Sequence, residues 1–369
     1  PVFFNICVIA SALFLSPLLD EPVLGIAIGV VIGGLAQLVT QLPGVQKQGL
    51  LFQWRFEPGH PGVKKIGWLI VPSLLGTSVT QINITVSTIL ASYFEGGPTY
   101  LFYGMRLIQF PLGIFGVALA TAILPTLSMH AAKGSFDELR ETLGFGLRVI
   151  AFIILPATAG LILLRVPIIH LFFEHGAFSA ADTVGTAAAL LAYAVGLWAF
   201  AGIRIVVSAF YSMQDTKTPA IAAVIAMFVN ILLALSLMGP LEHAGLALAT
   251  ALSAMVNIVI LISILTYRLG GIAWWHFWQS FGRSLLATVP VVLACLWIAS
   301  LAVWEREDAW IAKTIMLVVG IGLSVTGYIG AHALYQSQEL EILWQLVHTK
   351  VLRKKTFSSC LRTSFIQLA

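Results

Sequence analysis

Residues 99–129 read TYLFYGMRLIQFPLGIFGVALATAILPTLSM. Arg106 is the one charged side chain in the stretch, and its length exceeds the ~20 residues that cross ~30 Å of hydrocarbon as a helix. The apolar run is continuous rather than alternating, so it reads as a helix and not as a barrel strand. The rest of the chain repeats the pattern. Of 369 residues, 59% are hydrophobic and 10% charged, with mean hydropathy +0.95. A soluble domain carries roughly 25% charged residues. The expected fold is an all-α polytopic membrane protein with about ten transmembrane helices, near 2–18, 23–43, 66–93, 99–129, 143–164, 184–210, 219–238, 244–266, 284–303 and 311–334.

Short Pro-, Gly- and Asp-rich connections such as LDEP, EGGP, QDTKTP and GPLEHAG separate the spans. Residues 44–65 are the exception, with Lys, Arg, Trp and Phe mixed in the manner of an interfacial segment. Alternate loops differ sharply in charge. One set, which includes 44–65, 130–148, 211–218, 267–283 and the tail from 335, holds fifteen of the twenty Lys and Arg. The opposite set holds Arg165, Arg306 and Lys313. Cytoplasmic loops carry the Lys/Arg excess, so the first set and the C-terminus are assigned to the cytoplasm. AWWHFWQSF (273–281) supplies an aromatic belt at that interface. The sequence opens on Pro1 without a signal-peptide pattern and reads as starting inside a longer protein. Cys7, Cys295 and Cys360 show neither a metal spacing nor a disulfide framework.

Arg106 and Arg204 are the two cations left within spans, while all sixteen Asp and Glu fall in loops or near span ends. An intramembrane Arg costs at least ~2.5 kcal/mol unless it meets a partner or a wet cavity. Tyr103 and Gln109 share the Arg106 face at helical spacing, with Thr99 one turn further out. Two readings stand. Arg106 is an empty fork for a phosphate, or it is tied to carbonyls freed by a kink at Pro111. Arg204 snorkels, packs or binds substrate. Ser73, Thr77, Gln81, Thr85, Thr88 and Ser92 form a second polar stripe, for helix packing or for lining a cavity. FGVALATAI (115–123) and AGLALATAL (244–252) echo each other as close-packing segments or as a repeat. Glu174 and His175 read as a loop cap, and Asp215 and Thr216 as caps of the helix whose first turn holds Pro219. No nucleophile, P-loop, zinc or paired-carboxylate pattern points to an enzyme or a metal.

YFEGGPTYLFYGMRLIQFPLGIFGVALATAILPTLS (93–128), LFFEHGAFSAADT (171–183) and AFYSMQDTKTP (209–219) together resemble the MurJ/MviN lipid II flippases of the multidrug/oligosaccharidyl-lipid/polysaccharide exporter superfamily. The resemblance implies a two-lobe exporter of fourteen spans, of which this chain carries the last ten. Residues 1–45 would be the last two helices of the N-terminal lobe, 46–65 a cytoplasmic linker and 66–268 the C-terminal six-helix lobe. Residues 280–335 would be an extra helix pair forming a groove for the lipid tail, and 336–369 a cytoplasmic tail.

The implied activity is transport of lipid II, undecaprenyl-pyrophosphate-linked muropeptide, to the outer leaflet of the bacterial cytoplasmic membrane by alternating access. Implied partners are lipid II, membrane lipids and the cell-wall synthesis machinery, with no nucleic acid. No cofactor is implied beyond coupling to the membrane potential or to a monovalent cation. Arg106 matches the family's cavity arginine, Tyr103, Gln109, Thr99 and Arg204 join it as substrate-binding candidates, and Pro111 becomes a hinge. Asn230 and Thr250 match a sodium site of some members, whereas Ser87 and Ala234 stand where its carboxylates would be. Alternatives are an exporter of another polyprenyl-pyrophosphate glycan or of a drug, a lipid-carrier enzyme, and a non-transporting scaffold. A drug exporter calls for an intramembrane Asp or Glu, and a carrier enzyme for an acidic cluster.

Overall fold

The computed structural model describes residues 2–47, 59–271, 274–301, 304, 310–335, 337 and 339–340, with side chains 47 and 65–77 excepted. Most of the 44–65 interfacial segment, Arg306, Cys360 and the basic tail beyond 340 lie outside them.

The described chain is helical throughout. Its elements are α1 (Val2–Ala10), α2 (Pro22–Lys47), α3 (Pro61–Ala91), α4 (Gly97–Pro111), α5 (Ala118–Lys133), α6 (Phe136–Leu163) and α7 (Arg165–Phe173), then α8 (Ala180–Val195), α9 (Leu197–Ser212), α10 (Lys217–Leu269), α11 (Trp274–Ala299) and α12 (Trp310–Leu334). They fall into two compact units, Pro1–Val71 and Pro72–Ala369.

In the first unit α1 lies against α2 along Gly25, Gly29 and Gly33. A Cβ on Gly29 would stand 2.5 Å from the Ser11 Cβ, and one on Gly25 2.6 Å from the Ser16 Cα. Ser11 and Ser16 donate to the Gly25 and Pro22 carbonyls. Small residues at every fourth position let two helices touch backbone to backbone, the packing available where lipid removes the hydrophobic drive between helices.

The second unit is a bundle in which α4 packs on α8, α5 on α6 and α9, and α10 on α8 and α9, with α11 between α6 and α12. Its interior is unusually rich in alanine. Ala189, Ala194, Ala199, Ala201, Ala247, Ala249 and Ala251 are fully buried, and larger side chains such as Leu127, Ile205 and Phe210 fill the spaces between them. Phe102, Ile221, Phe228, Leu232 and Leu293 point outward, as residues solvated by lipid should.

Ten separate spans are not reached. Among the described residues, six helices are long and apolar enough to cross a membrane, or seven if α8 and α9, bent by 44°, count as one. The shortfall has physical causes. Val2–Leu18 and the described part of α3, Ser78–Ala91, are shorter. α10 counts once because its helix runs through GPLEHAG, yet Glu242 is non-helical (φ 49°, ψ −134°). Asn230 hydrogen-bonds Thr250 at 3.2 Å and Ser253 at 3.4 Å, although on a straight helix they would be roughly 30 Å apart. The chain therefore reverses at Glu242 and α10 is a hairpin of two antiparallel arms, near the 219–238 and 244–266 read from sequence.

Charged and polar side chains clamp the two ends of this bundle. At one end, the Tyr100 hydroxyl donates to Asp182 at 3.1 Å and the His243 ring meets the Gly185 carbonyl at 2.9 Å. Ser179 and Asp182 cap α8 reciprocally. At the other end, Asp215 accepts from the amides of Lys217 and Thr218 and from Arg268, which also lies over the Phe210 ring. Thr216, expected to share the capping, makes no side-chain cap bond, because the Asp215 carboxylate already takes the first free amides of α10. Burial pushes the Asp215 carboxyl up, but its bonds to Thr218 and Arg268 outweigh that and hold it at about 2.

Candidate functional site

The helix that carries Arg106 is shaped by two backbone breaks. Gly96 (φ 69°) starts α4 in a conformation that favours glycine. Pro111 ends it, since proline has no N–H to donate back into the helix. The chain then widens into a π-helical segment, Leu112–Val117, before α5 resumes. Such bulges concentrate at functional positions. At the position where a bend was expected, the helix widens into this π-helical segment.

Arg106 sits about 14 Å along α4 from Gly97 and is exposed. Its Nη1 donates to the Gln109 Oε1 at 3.1 Å, and its guanidinium lies 4.9 Å from the centroid of the Phe102 ring. Both partners are neutral, so the charge is oriented but not compensated. Among the described residues the Arg106 side chain bonds Gln109 and no backbone carbonyl. The Leu112 amide donates to the Ile108 and Gln109 oxygens. Gln109 is thus brought to Arg106 as its spacing suggested. Phe102, one turn before Arg106, was missed, although an aromatic at i−4 to an Arg is a legible cation–π pair.

Tyr103 is half-buried and turned into an aromatic cluster, 4.6 Å from the Phe173 ring and 5.5 Å from Phe178. Thr99 is exposed one turn outward. Arg204 is exposed on α9, with its stem across the π-helical segment. A Cβ on Gly116 would lie 3.4 Å from the Arg204 Cδ and 4.0 Å from its Nε, so Gly116 is the notch that admits this arginine. Arg204 thus lies beside the widened turn one helix away from Arg106.

In the second stripe, Thr88 and Ser92 bond carbonyls of their own helix, at Ile84 and Ile89. The Ser73 and Thr77 side chains lie outside the described residues.

Asn230 is 1% exposed, and its amide donates to Thr250 and Ser253. These hydroxyls are in turn spent on the Leu246 and Thr250 carbonyls. The Asn230 Oδ1 has no partner among the described residues. Ser253 joins this cluster unforeseen, whereas Ser87, half-buried on α3, is not among its bonded partners. Ala234 adds no oxygen where a carboxylate was sought. Among the described residues the cluster thus offers one free amide oxygen and no carboxylate.

An apolar cavity of about 470 Å³ opens among α6, α9, α10 and the start of α11. Trp274, Phe277, Trp278 and Phe281 of the aromatic belt line it together with Trp198 and Ile258. The α11–α12 face itself is close-packed, with Ser284, Thr288, Cys295, Ser324 and Tyr328 buried.

The family model described as lipid II flippase MurJ matches residues 1–320. A probable lipid II flippase MurJ of Vibrio cholerae is 37% identical over 337 residues, covering 89% of this chain and 63% of that one. The Haemophilus influenzae counterpart is 38% identical over 315 residues, covering 82% and 59%. A solved structure of lipid II flippase MurJ in an inward closed conformation matches with TM-score 0.70 at 25% identity, over 91% of this chain and 67% of that one. The chain thus spans less than two thirds of the length of these two curated relatives. With a match that runs over residues 1–320 of 369, and with six helices apt to cross a bilayer, the chain is a multi-pass membrane protein that belongs to the lipid II flippase MurJ family.

Proposed function

We propose that the protein works as a transporter, not an enzyme, and moves lipid II from the inner to the outer leaflet of the bacterial cytoplasmic membrane, with its C-terminus in the cytoplasm. The observation that carries this reading is Arg106. It is an exposed cation on an apolar helix, steered by Gln109 and Phe102, and neither of them neutralises it. A diphosphate offers the oxygens that a guanidinium fork binds in pairs. Arg204, admitted by Gly116 at the next bend, is the second cation on the diphosphate's route. Pro111 and the wide turn after it let the Arg106 half of the helix tilt against the α5 half.

The diphosphate is common to polyprenyl-linked glycans, so Arg106 selects the carrier rather than the sugar. The aromatic-lined cavity beside α11 is wide and apolar enough for part of a polyprenyl or acyl tail. The Asn230 cluster offers one free oxygen and no carboxylate, which favours the membrane potential over a bound cation as the driving force. Cell-wall synthesis enzymes would take up the product at the outer leaflet.

The test is made in the full-length protein expressed in cells depleted of their own flippase. Arg106→Ala should leave lipid II on the inner leaflet and stop growth, and Arg106→Lys should restore part of both. Normal growth and normal lipid II turnover with Arg106→Ala, at equal protein level, would overturn the reading.

A further inference from the structure

A second cluster of charge surrounds Glu174. Glu174 was paired with its neighbour His175, but His175 turns back to the Leu171 carbonyl at 3.2 Å. The partner of Glu174 is His170, four residues earlier on the same face of α7, with Nδ1 at 2.8 Å from the carboxylate. On the opposite side of that ring, Nε2 lies 2.6 Å from the Lys313 Nζ. Lys313 comes from the first turn of α12 and is 3% exposed. Thr183, at the start of α8, donates its hydroxyl to the same Glu174 oxygen.

The chemistry of the chain of atoms fixes its protons. An ammonium can only donate, so the Nε2 it meets carries a lone pair. Nδ1 then holds the hydrogen and donates it to Glu174. Lysine, neutral imidazole and carboxylate together carry no net charge. Moving one proton from Nζ to Nε2 leaves that sum unchanged. One proton more cannot be housed in the same geometry, because His170 and Lys313 would then both be cations 2.6 Å apart. Coulomb repulsion at that distance in a partly buried site far exceeds thermal energy.

The remaining charged groups around the ring are engaged elsewhere. Arg165, at the start of α7, donates to the Ile162 carbonyl at 2.6 Å, and Asp182 of α8 is turned to Ser179 and Tyr100. Among the described residues, Lys313 from α12, Glu174 after α7, and Thr183 of α8 acting through Glu174 are therefore what His170 faces. Burial pushes the Glu174 carboxyl up, but bonds from Thr183 and His170 outweigh it, so Glu174 stays ionised rather than taking the added proton.

We infer that His170, Lys313 and Glu174 form a proton-binding site at the bundle end that charge bias assigns to the outside, and that loading it with one proton releases the first turn of α12 from α7 and α8. The ligand is a hydron from the outer aqueous phase, taken up by His170. The only bond made is N–H, and the bond lost is the one from Lys313. This inference stands on the triad's geometry and needs no assumption about what is transported.

The test uses the full-length protein in lipid nanodiscs, with its own cysteines replaced and spin labels at Val166→Cys on α7 and Ile311→Cys on α12, both exposed positions. Label separation is read at stepped values between about pH 8 and about pH 5. The ratio of separated to docked pairs should rise on acidification by up to about tenfold per pH unit, the limit for one bound proton. His170→Asn keeps a donor beside Glu174 and does not titrate, so its label separation should be the same across that range. Lys313→Met removes the second cation and should also abolish the response. A separation that ignores pH in the otherwise native protein overturns the inference. So does a pH response that survives in His170→Asn at an unchanged melting temperature.

Discussion

Arg106 and Lys313 are both cations on membrane helices, and the structure treats them in opposite ways. Lys313 is buried and balanced, with its charge passed through His170 to Glu174. Arg106 is exposed, steered by an amide and a ring, and left positive. The difference separates a charge that holds the fold from one that is free to meet a ligand. A buried pair adds little net stability but is costly to break, because removing one partner strands the other. An exposed guanidinium costs the fold little to lose, so on the proposed reading its removal should be felt in function.

The comparison can be broken by exchanging the readouts. The largest effect belongs to Arg106→Gln. Losing a charge-assisted bond to a diphosphate, roughly 1.5–3 kcal/mol, should lower flipping about 10- to 100-fold while thermal unfolding in detergent stays within a degree or two. A large drop in melting temperature instead would make Arg106 structural. Lys313→Ala should behave conversely. It leaves His170 and Glu174 without their cation and should destabilise by about 3 kcal/mol, and adding Glu174→Gln should recover part of that loss in a double-mutant cycle.

A smaller effect tests the notch. Gly116→Val should push the Arg204 stem away, because even a Cβ there would touch it at 3.4 Å. Transport should fall several-fold at unchanged protein level, whereas Gly116→Ala should be close to silent. Normal transport with valine would show that Arg204 plays no part.

The smallest effect is at the opposite end of the bundle. Asp215→Asn weakens the cap of α10 and its tie to Arg268 and should cost about 1 kcal/mol. The Asp215 carboxyl is held at about 2, below the ~3.9 of an unfolded chain. Its contribution is therefore complete above about pH 4 and lost as the pH falls toward 2. The native protein and Asp215→Asn should converge in stability across that window, as read by unfolding scans at stepped pH.

Several of these features could be read from residue order because they are local. Helical periodicity placed Gln109 beside Arg106, and the missing N–H of Pro111 marked where the α-helix gives way to a π-helical segment. The reversal between 238 and 244 was legible as GPLEHAG, although helix continues almost through it. The His170–Glu174 pair also obeyed a four-residue spacing but was overlooked, since an adjacent histidine drew the reading to Glu174–His175. Lys313, far along the chain, gave no local sign that it would reach His170. Nothing near Asp215 announced Arg268 either, 53 residues away.

Composition and charge bias by themselves determined that this is a helical membrane protein, and three stretches together suggested its family. Those properties follow from transfer free energies and helical geometry, which act on each segment separately. Only tertiary structure decided which charges are spent and which are left open. Whether a cation is neutralised depends on what a distant helix brings within about 3 Å of it, and spacing along the chain does not encode that distance.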